Sequence, residues 1–169
     1  MVDEIPDSLE TSRAPTDEDL ARLAARLNEL GVKYVVIGGF AIMRAGLARS
    51  TMDIDLLVDT ATENDALVRK ALEILPDGAV KELISGEIER YNVVRVCDEI
   101  TVDLMARACG LRYEDVKHLI ELEEYQGVTI PFASPALLWK TKQTFREKDA
   151  WDRNFLEKLL IERGEWPVE

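Results

Sequence analysis

Apolar residues recur every three or four positions through Leu20, Leu23, Ala24, Leu27 and Leu30, the spacing of one buried helix face. Thr16 ahead of this run is an N-cap residue. Asp19, three positions on, makes an imperfect capping box, and Gly31 ends the helix. The period then changes. Val32 to Ile37 is a short β-branched run that predicts a buried strand, ended by Gly38-Gly39. Phe40 to Ala45 predicts a short helix closed by Gly46, and Met52 to Val58 a second strand. Thr62 caps a predicted helix through Leu75, followed by the turn signal Pro76-Asp77-Gly78. Val80 to Ile84 fits strand and helix equally. Glu87 to Val96 and Ile100 to Met105 predict two antiparallel strands around Asp98-Glu99. Arg112 to Ile120 predicts a helix, and Leu122 to Tyr125 with Thr129 to Phe132 a small hairpin through Gln126-Gly127. Ser134-Pro135, an N-cap with proline at N1, starts a helix running to about Arg146. A last helix spans roughly Asp149 to Arg163, ended by Gly164.

This order predicts an α+β fold: a small mixed α/β sheet with flanking helices and a C-terminal helical segment. No repeat or Gly/Ser linker interrupts it. The expected layout is a loose polar arm over 1–15, a core over 16–133, and a helical segment over 134–169 packed on that core, as one domain. At 169 residues the chain is long enough to bury most of its apolar surface.

Charge changes the picture. Thirty-three acids oppose 21 bases, a net charge of -12, so the overall field repels polyanions and argues against a non-specific nucleic-acid or anionic-membrane binder. No apolar run is long enough to span a bilayer, and Met1 to Glu10 carries no apolar secretory core, so a cytoplasmic protein without a membrane partner is expected. Two cysteines and one histidine exclude a disulfide scaffold and a Cys/His zinc cage. A Ser-His-Asp or Cys-His hydrolase would depend on His118, which stands among helical-looking polar residues. The charge is also uneven. Residues 32–52 hold three bases and no acid, whereas 53–103 hold thirteen acids and five bases, and the border falls at Asp53.

That border carries the chemistry. Asp53 and Asp55 are two apart on a predicted strand, so both carboxylates project from one face while Ile54, Leu56 and Val58 point into the core. Adjacent carboxylates repel, and a fold tolerates them most easily around a cation; oxygen ligands of this kind suit Mg²⁺ or Mn²⁺. The plainer reading is a solvated strand edge. Gly38-Gly39 follows a strand and precedes a helix, a turn that aims backbone N–H groups at an anion such as phosphate; the plainer reading is an ordinary connection. Thirteen residues separate Gly39 from Asp53, enough for a helix and a return to the neighbouring strand.

The pattern G-G-x-A…R-x-T-x-D-x-D-L-x-V, carried by Gly38, Gly39, Ala41, Arg49, Thr51, Asp53, Asp55, Leu56 and Val58, resembles the nucleotidyltransferases of the DNA polymerase β superfamily. It is most similar to the minimal and abortive-infection (toxin–antitoxin) branch. The stretch Ser134-Pro135…Leu138-x-Lys140…Arg146-x-Lys148-Asp149-x-x-Asp152 resembles the helical tail of that branch. The resemblance covers roughly residues 20–163. It departs at Gly39, where many members carry a serine whose hydroxyl touches a terminal phosphate; the Gly-Gly form occurs in the abortive-infection and tRNA-modifying branches.

The resemblance implies a metal-dependent transfer of an NMP from an NTP to an acceptor hydroxyl, with pyrophosphate leaving. Asp53 and Asp55 would hold two Mg²⁺ ions. A third carboxylate on a later strand of the same sheet is implied, and Asp103, flanked by Val102 and Leu104, fits; a pairing with Arg95 or Arg107 is the plainer alternative. Gly38 and Gly39 would cradle phosphates, with Thr51 beside them. Lys140, Thr144 and Lys148, at i, i+4 and i+8 of one predicted helix, would put Lys140 and Lys148 on the triphosphate. Arg49 would face phosphate or clamp Asp53 or Asp55. Trp139, Phe145 and Trp151 are expected to pack the tail. The acceptor is open: RNA, a protein or a small molecule. Two other readings stand beside this one. The first is a non-catalytic module that keeps the fold, such as a toxin or antitoxin bound to its cognate protein. The second is a D-x-D-x-T/V phosphatase with Asp53 as nucleophile, which Leu57 fits poorly.

Overall fold

A computed structural model describes residues 12–169. Residues 1–11 of the expected arm lie outside the described residues. Its last four are held: Ser12 Oγ donates to Asp98 O at 2.7 Å, and Arg13 clasps Asp19 at 2.6 and 2.8 Å. Helix α1 (Asp17–Glu29) starts at Thr16 with the capping box complete, and buries Leu20, Leu23, Ala24 and Leu27.

Six strands form one mixed sheet: β1 (Tyr34–Ile37), β2 (Asp53–Val58), β3 (Val93–Cys97), β4 (Thr101–Met105), β5 (Ile120–Tyr125) and β6 (Val128–Ala133). Their order is β3-β4-β2-β1-β6-β5. β1 runs antiparallel to β2 and parallel to β6, β2 runs parallel to β4, and β3–β4 and β5–β6 are hairpins. The β5–β6 hairpin turns through Gln126 and Gly127, both at positive φ, as an Asn-Gly-like pair would. The expected mixed sheet with flanking helices is what the chain forms.

The remaining helices are α2 (Gly38–Ala45), α3 (Thr62–Ala71), α4 (Glu87–Tyr91), α5 (Tyr113–Val116), α6 (Pro135–Thr141) and α7 (Glu147–Glu162). Four differ from the sequence reading. The α3 N-cap is Ala61, not Thr62, and the helix tightens into a 3₁₀ turn at Leu72–Ile74. Glu87–Tyr91 is helical rather than strand: Gly86 enters it at φ 87° and Asn92 leaves it at φ 67°, and one left-handed residue at each end isolates a single turn. Only Tyr113–Val116 of the predicted 112–120 helix is α-helical, with a 3₁₀ turn at Lys117–Leu119. The predicted 134–146 helix stops at Thr141. There Thr141 Oγ1 donates to Leu138 O at 2.8 Å and Gln143 Nε2 to Trp139 O at 2.7 Å, which satisfies carbonyls the helix would otherwise use. Leu137, Leu138 and Leu156 of α6 and α7 are buried in the same cluster as Val35, Ile54 and Leu104 of the sheet. Among the described residues no helix is long and apolar enough to cross a membrane.

Candidate active site

The sheet register assembles the carboxylates. Parallel pairing sets Asp55 beside Asp103, and antiparallel pairing sets Arg95 beside Asp103. Laterally paired residues share a face, so Asp55, Asp103 and Arg95 form one row, with Asp53 on the same face two residues back. The opposite face carries Ile54, Leu56, Val102 and Leu104, all fully buried, which fixes which way the acids point. On the other side of Asp55 the row continues to Ile37, the last residue of β1. The glycine turn and the acids therefore meet at one end of the sheet.

Gly38 is held at φ 68°, and a Cβ there would overlap the Asp55 carboxylate. Gly39 faces Thr51: a Cβ would stand 2.5 Å from Thr51 Oγ1. A side chain at position 39, such as the serine that many members of the resembling family carry, would crowd Thr51 in this arrangement, and Thr51 Oγ1 donates to Asp53 O at 3.0 Å. α2 starts directly at Gly38 with no side-chain cap on its first N–H groups.

These residues open onto a cleft of about 700 Å³. Asp53, Asp55, Asp103, Gly38, Gly39, Arg49, Thr51 and Lys148 all line it, as do Lys142, Thr144 and Arg146. Burial pushes the Asp55 carboxyl up to about 6, with the charges of Asp103 and then Asp53 adding to the effect and Lys142 opposing it. Arg95 closes the row from the solvent side. Its Nε lies 2.9 Å from Asp103 Oδ1, and its Nη2 3.0 Å from Asp103 Oδ2 and 3.3 Å from Asp53 Oδ2. The Arg95 pairing weighed for Asp103 is thus present together with the trio.

Three expectations on the cationic side change. Arg49 clamps neither Asp53 nor Asp55; its Nη1 lies 2.6 and 2.7 Å from the two oxygens of Asp152 on α7. Lys140 is not in the cleft. With α6 ending at Thr141, Lys140, Thr144 and Lys148 do not share a helix side, and Lys140 lines a separate depression with His118 and the C-terminal residues. Trp139 packs edge-on against Trp166 at 4.9 Å, but Phe145 and Trp151 are exposed.

The cation that the sequence reading missed is Lys142. It is 7% exposed, and its Nζ lies 3.4 Å from Asp149 Oδ1 and 3.1 Å from Asp152 Oδ2. Asp149 is further held by the Thr144 hydroxyl and by Arg146 Nε at 3.0 Å. Arg153 ties down the intervening chain, donating to Lys142 O at 2.6 Å and Thr144 O at 2.8 Å. A signal for this was legible. The buried stripe of α7 is Asp149, Asp152, Leu156 and Leu160, so two aspartates occupy helix positions where apolar residues belong. Buried carboxylates require cations or hydrogen-bond donors nearby.

Three carboxylates form an all-oxygen donor set of the kind that hard divalent ions take. Asp55 is raised chiefly by burial and then by the charges of Asp103 and Asp53, which Lys142 only partly offsets. As the side chains stand, no group of three or more Asp, Glu, His or Cys among the described residues is arranged to hold a metal ion, and Arg95 lies against two of the three acids instead.

No protein-family model and no curated protein matches the chain. Solved structures do. The lincosamide antibiotic adenylyltransferase LnuA, bound to lincomycin, superposes with a TM-score of 0.51 over 89% of this chain and 99% of its own, at 13% identity. TM1012 of Thermotoga maritima, assigned as a nucleotidyltransferase, gives 0.50 over 86% and 92%, at 20% identity. An antigenic nucleotidyltransferase-like protein from Paracoccidioides brasiliensis gives 0.50 over 82% and 73%, at 18% identity. At these identities the likeness is one of architecture, and the chain has the nucleotidyltransferase-type fold.

Proposed function

We propose that the chain is a metal-dependent nucleotidyltransferase that moves an NMP from an NTP to an acceptor hydroxyl and releases pyrophosphate. One observation carries this reading. The register of β2 and β4 sets Asp53, Asp55 and Asp103 on one face, beside an uncapped glycine turn and in one cleft with Lys142, Arg146 and Lys148. Asp53 and Asp55, with Asp103, would hold Mg²⁺ or Mn²⁺, which when bound neutralises charge on the triphosphate and on the transferring phosphoryl group.

The protein's own groups do the rest. The first N–H groups of α2, from Gly38 and Gly39, cradle phosphate oxygens at a helix N-terminus. Thr51 stands beside them with its hydroxyl turned to the same wall. Lys142, Arg146 and Lys148 meet the triphosphate from the opposite wall, the role that the resemblance assigned to Lys140. Arg49 and Asp152 position Lys142 rather than touch the nucleotide. Asp103, beside Asp55, accepts the proton of the attacking hydroxyl; the new bond forms at the α-phosphorus as the bond to pyrophosphate breaks. The acceptor is an RNA, a protein or a small molecule; the lincomycin bound to the similarly folded LnuA is a reason to include small molecules in the test.

A second reading, a non-catalytic module such as one member of a toxin–antitoxin pair, is favoured by one observation: Arg95 already occupies two of the three acids. Pyrophosphate release separates the two. The chain is incubated with Mg²⁺, each of the four NTPs and each acceptor class. The enzyme reading expects release that falls at least about a hundredfold in Asp53→Ala, a folded variant, since this removes charge stabilisation in the transition state. No release with any pair, together with co-purification of a tight protein partner, supports the module instead.

A further inference from the structure

Two acids of the carboxylate trio already hold a cation of the protein's own, and it lies at the surface. Arg95 stands opposite Asp103 on β3, an edge strand, so its backbone stays beside the acids whatever its side chain does. Its guanidinium contacts both Asp103 oxygens and one Asp53 oxygen. The Arg95 side chain is 58% exposed against 7% for Asp103, so the contact is made from solvent and opens no cavity when broken. Lys142 on the far side of Asp55 is the opposite case. It is buried between Asp149 and Asp152, and its departure would strand two buried carboxylates.

We infer that Arg95 is an exchangeable counter-ion: it occupies the Asp53 and Asp103 carboxylates in the metal-free protein and is displaced from them when a divalent ion binds. The inference rests on the reading of the trio as a metal site. The physical reason is exclusion. A guanidinium that contacts both oxygens of Asp103 takes one lone pair of each and puts a positive charge beside them, so a second cation on the same carboxylate is repelled. Arg95 thereby offsets charge on two of the three carboxylates while the site is free of metal. Metal affinity is lowered by the fraction of molecules in which Arg95 is in place. Once displaced, Arg95 still lines the cleft, now as a free cation at its rim.

The test is Mn²⁺ binding to the full chain, read as loss of the free Mn²⁺ electron paramagnetic resonance signal, in wild type, Arg95→Gln, Arg95→Lys and Asp53→Asn. Displacement predicts that Arg95→Gln binds Mn²⁺ at least about tenfold tighter than wild type, with Arg95→Lys between them because lysine cannot take both oxygens. It also predicts that the melting temperature of Arg95→Gln without metal falls below that of wild type and recovers on adding Mn²⁺. Equal or weaker binding in Arg95→Gln, with wild type binding and Asp53→Asn not, overturns the counter-ion role and leaves the metal site standing. Absence of Mn²⁺ binding in all four proteins overturns both.

Discussion

Asp55 has the least comfortable carboxyl in the site. Burial and two neighbouring acids push it up to about 6 from 3.8, so the folded chain holds this proton more tightly than the unfolded chain. The sign follows. Stability from this group is fully present below about pH 4 and is lost as pH rises through 6. Replacing Asp55 with asparagine removes that loss. In metal-free buffer Asp55→Asn should exceed wild type by on the order of 2 kcal/mol at about pH 7.5, and the difference should vanish near pH 4. Urea denaturation across pH measures this. Glu89 works in the other direction, held down at about 2 chiefly by its hydrogen bond from Arg112, but it is common to both proteins and cancels in the comparison. At this scale much was legible in the sequence. Strand alternation alone puts Asp53 and Asp55 on one face. Asp103 followed from the resemblance and from its apolar neighbours. Lys142 was not legible from charge spacing, because the spacing argument assumed one unbroken helix to Arg146. The end at Thr141 depends on side chains folding back onto carbonyls.

The junctions between elements decide whether those residues meet. β1 passes into α2 without a loop, and the turn is possible because Gly38 takes φ 68° against the Asp55 side chain. Gly38→Ala asks for a left-handed alanine, which costs about 1 kcal/mol or more, and drives its Cβ into a carboxylate whose strand is paired on both sides. The expected loss of stability is about 2–3 kcal/mol, with most of the nucleotide affinity lost as Asp55 is displaced. A loss under about 1 kcal/mol in denaturant melts would show that the junction has slack. The central strands β1, β2 and β4 were read well because their apolar runs bury one or both faces, and Ile54, Leu56, Val102 and Leu104 leave no freedom of register. Short helices were read poorly. Glu87–Tyr91 buries only Ile88, so its pattern carries no period, and its identity comes from the left-handed residues at its two ends.

Across the whole molecule the net charge of -12 hides a local balance of charge. The cleft is lined by five bases, Arg49, Arg95, Lys142, Arg146 and Lys148, against three acids. Asp149 and Asp152 behind the wall pair with Arg49, Lys142 and Arg146, so the cleft is close to neutral and repels a small anion less than the acidic outer surface does. The sequence showed half of this, in the acid-free stretch 32–52 and the base-rich 135–148. That the two stretches face one another across the sheet end is a property of topology: α2 and the β1–β2 connection supply one wall, and the α6–α7 connection the other. The acceptor was not legible and follows from no single residue, so the central claim is best tested without it. Isothermal titration calorimetry with a non-reactive α,β-methylene analogue of each NTP, with and without Mg²⁺, reads the proposed site alone. The account predicts binding of at least one analogue that requires Mg²⁺ and is lost in Asp53→Asn. Binding of equal strength without Mg²⁺ or in Asp53→Asn, or no binding of any analogue, would contradict it.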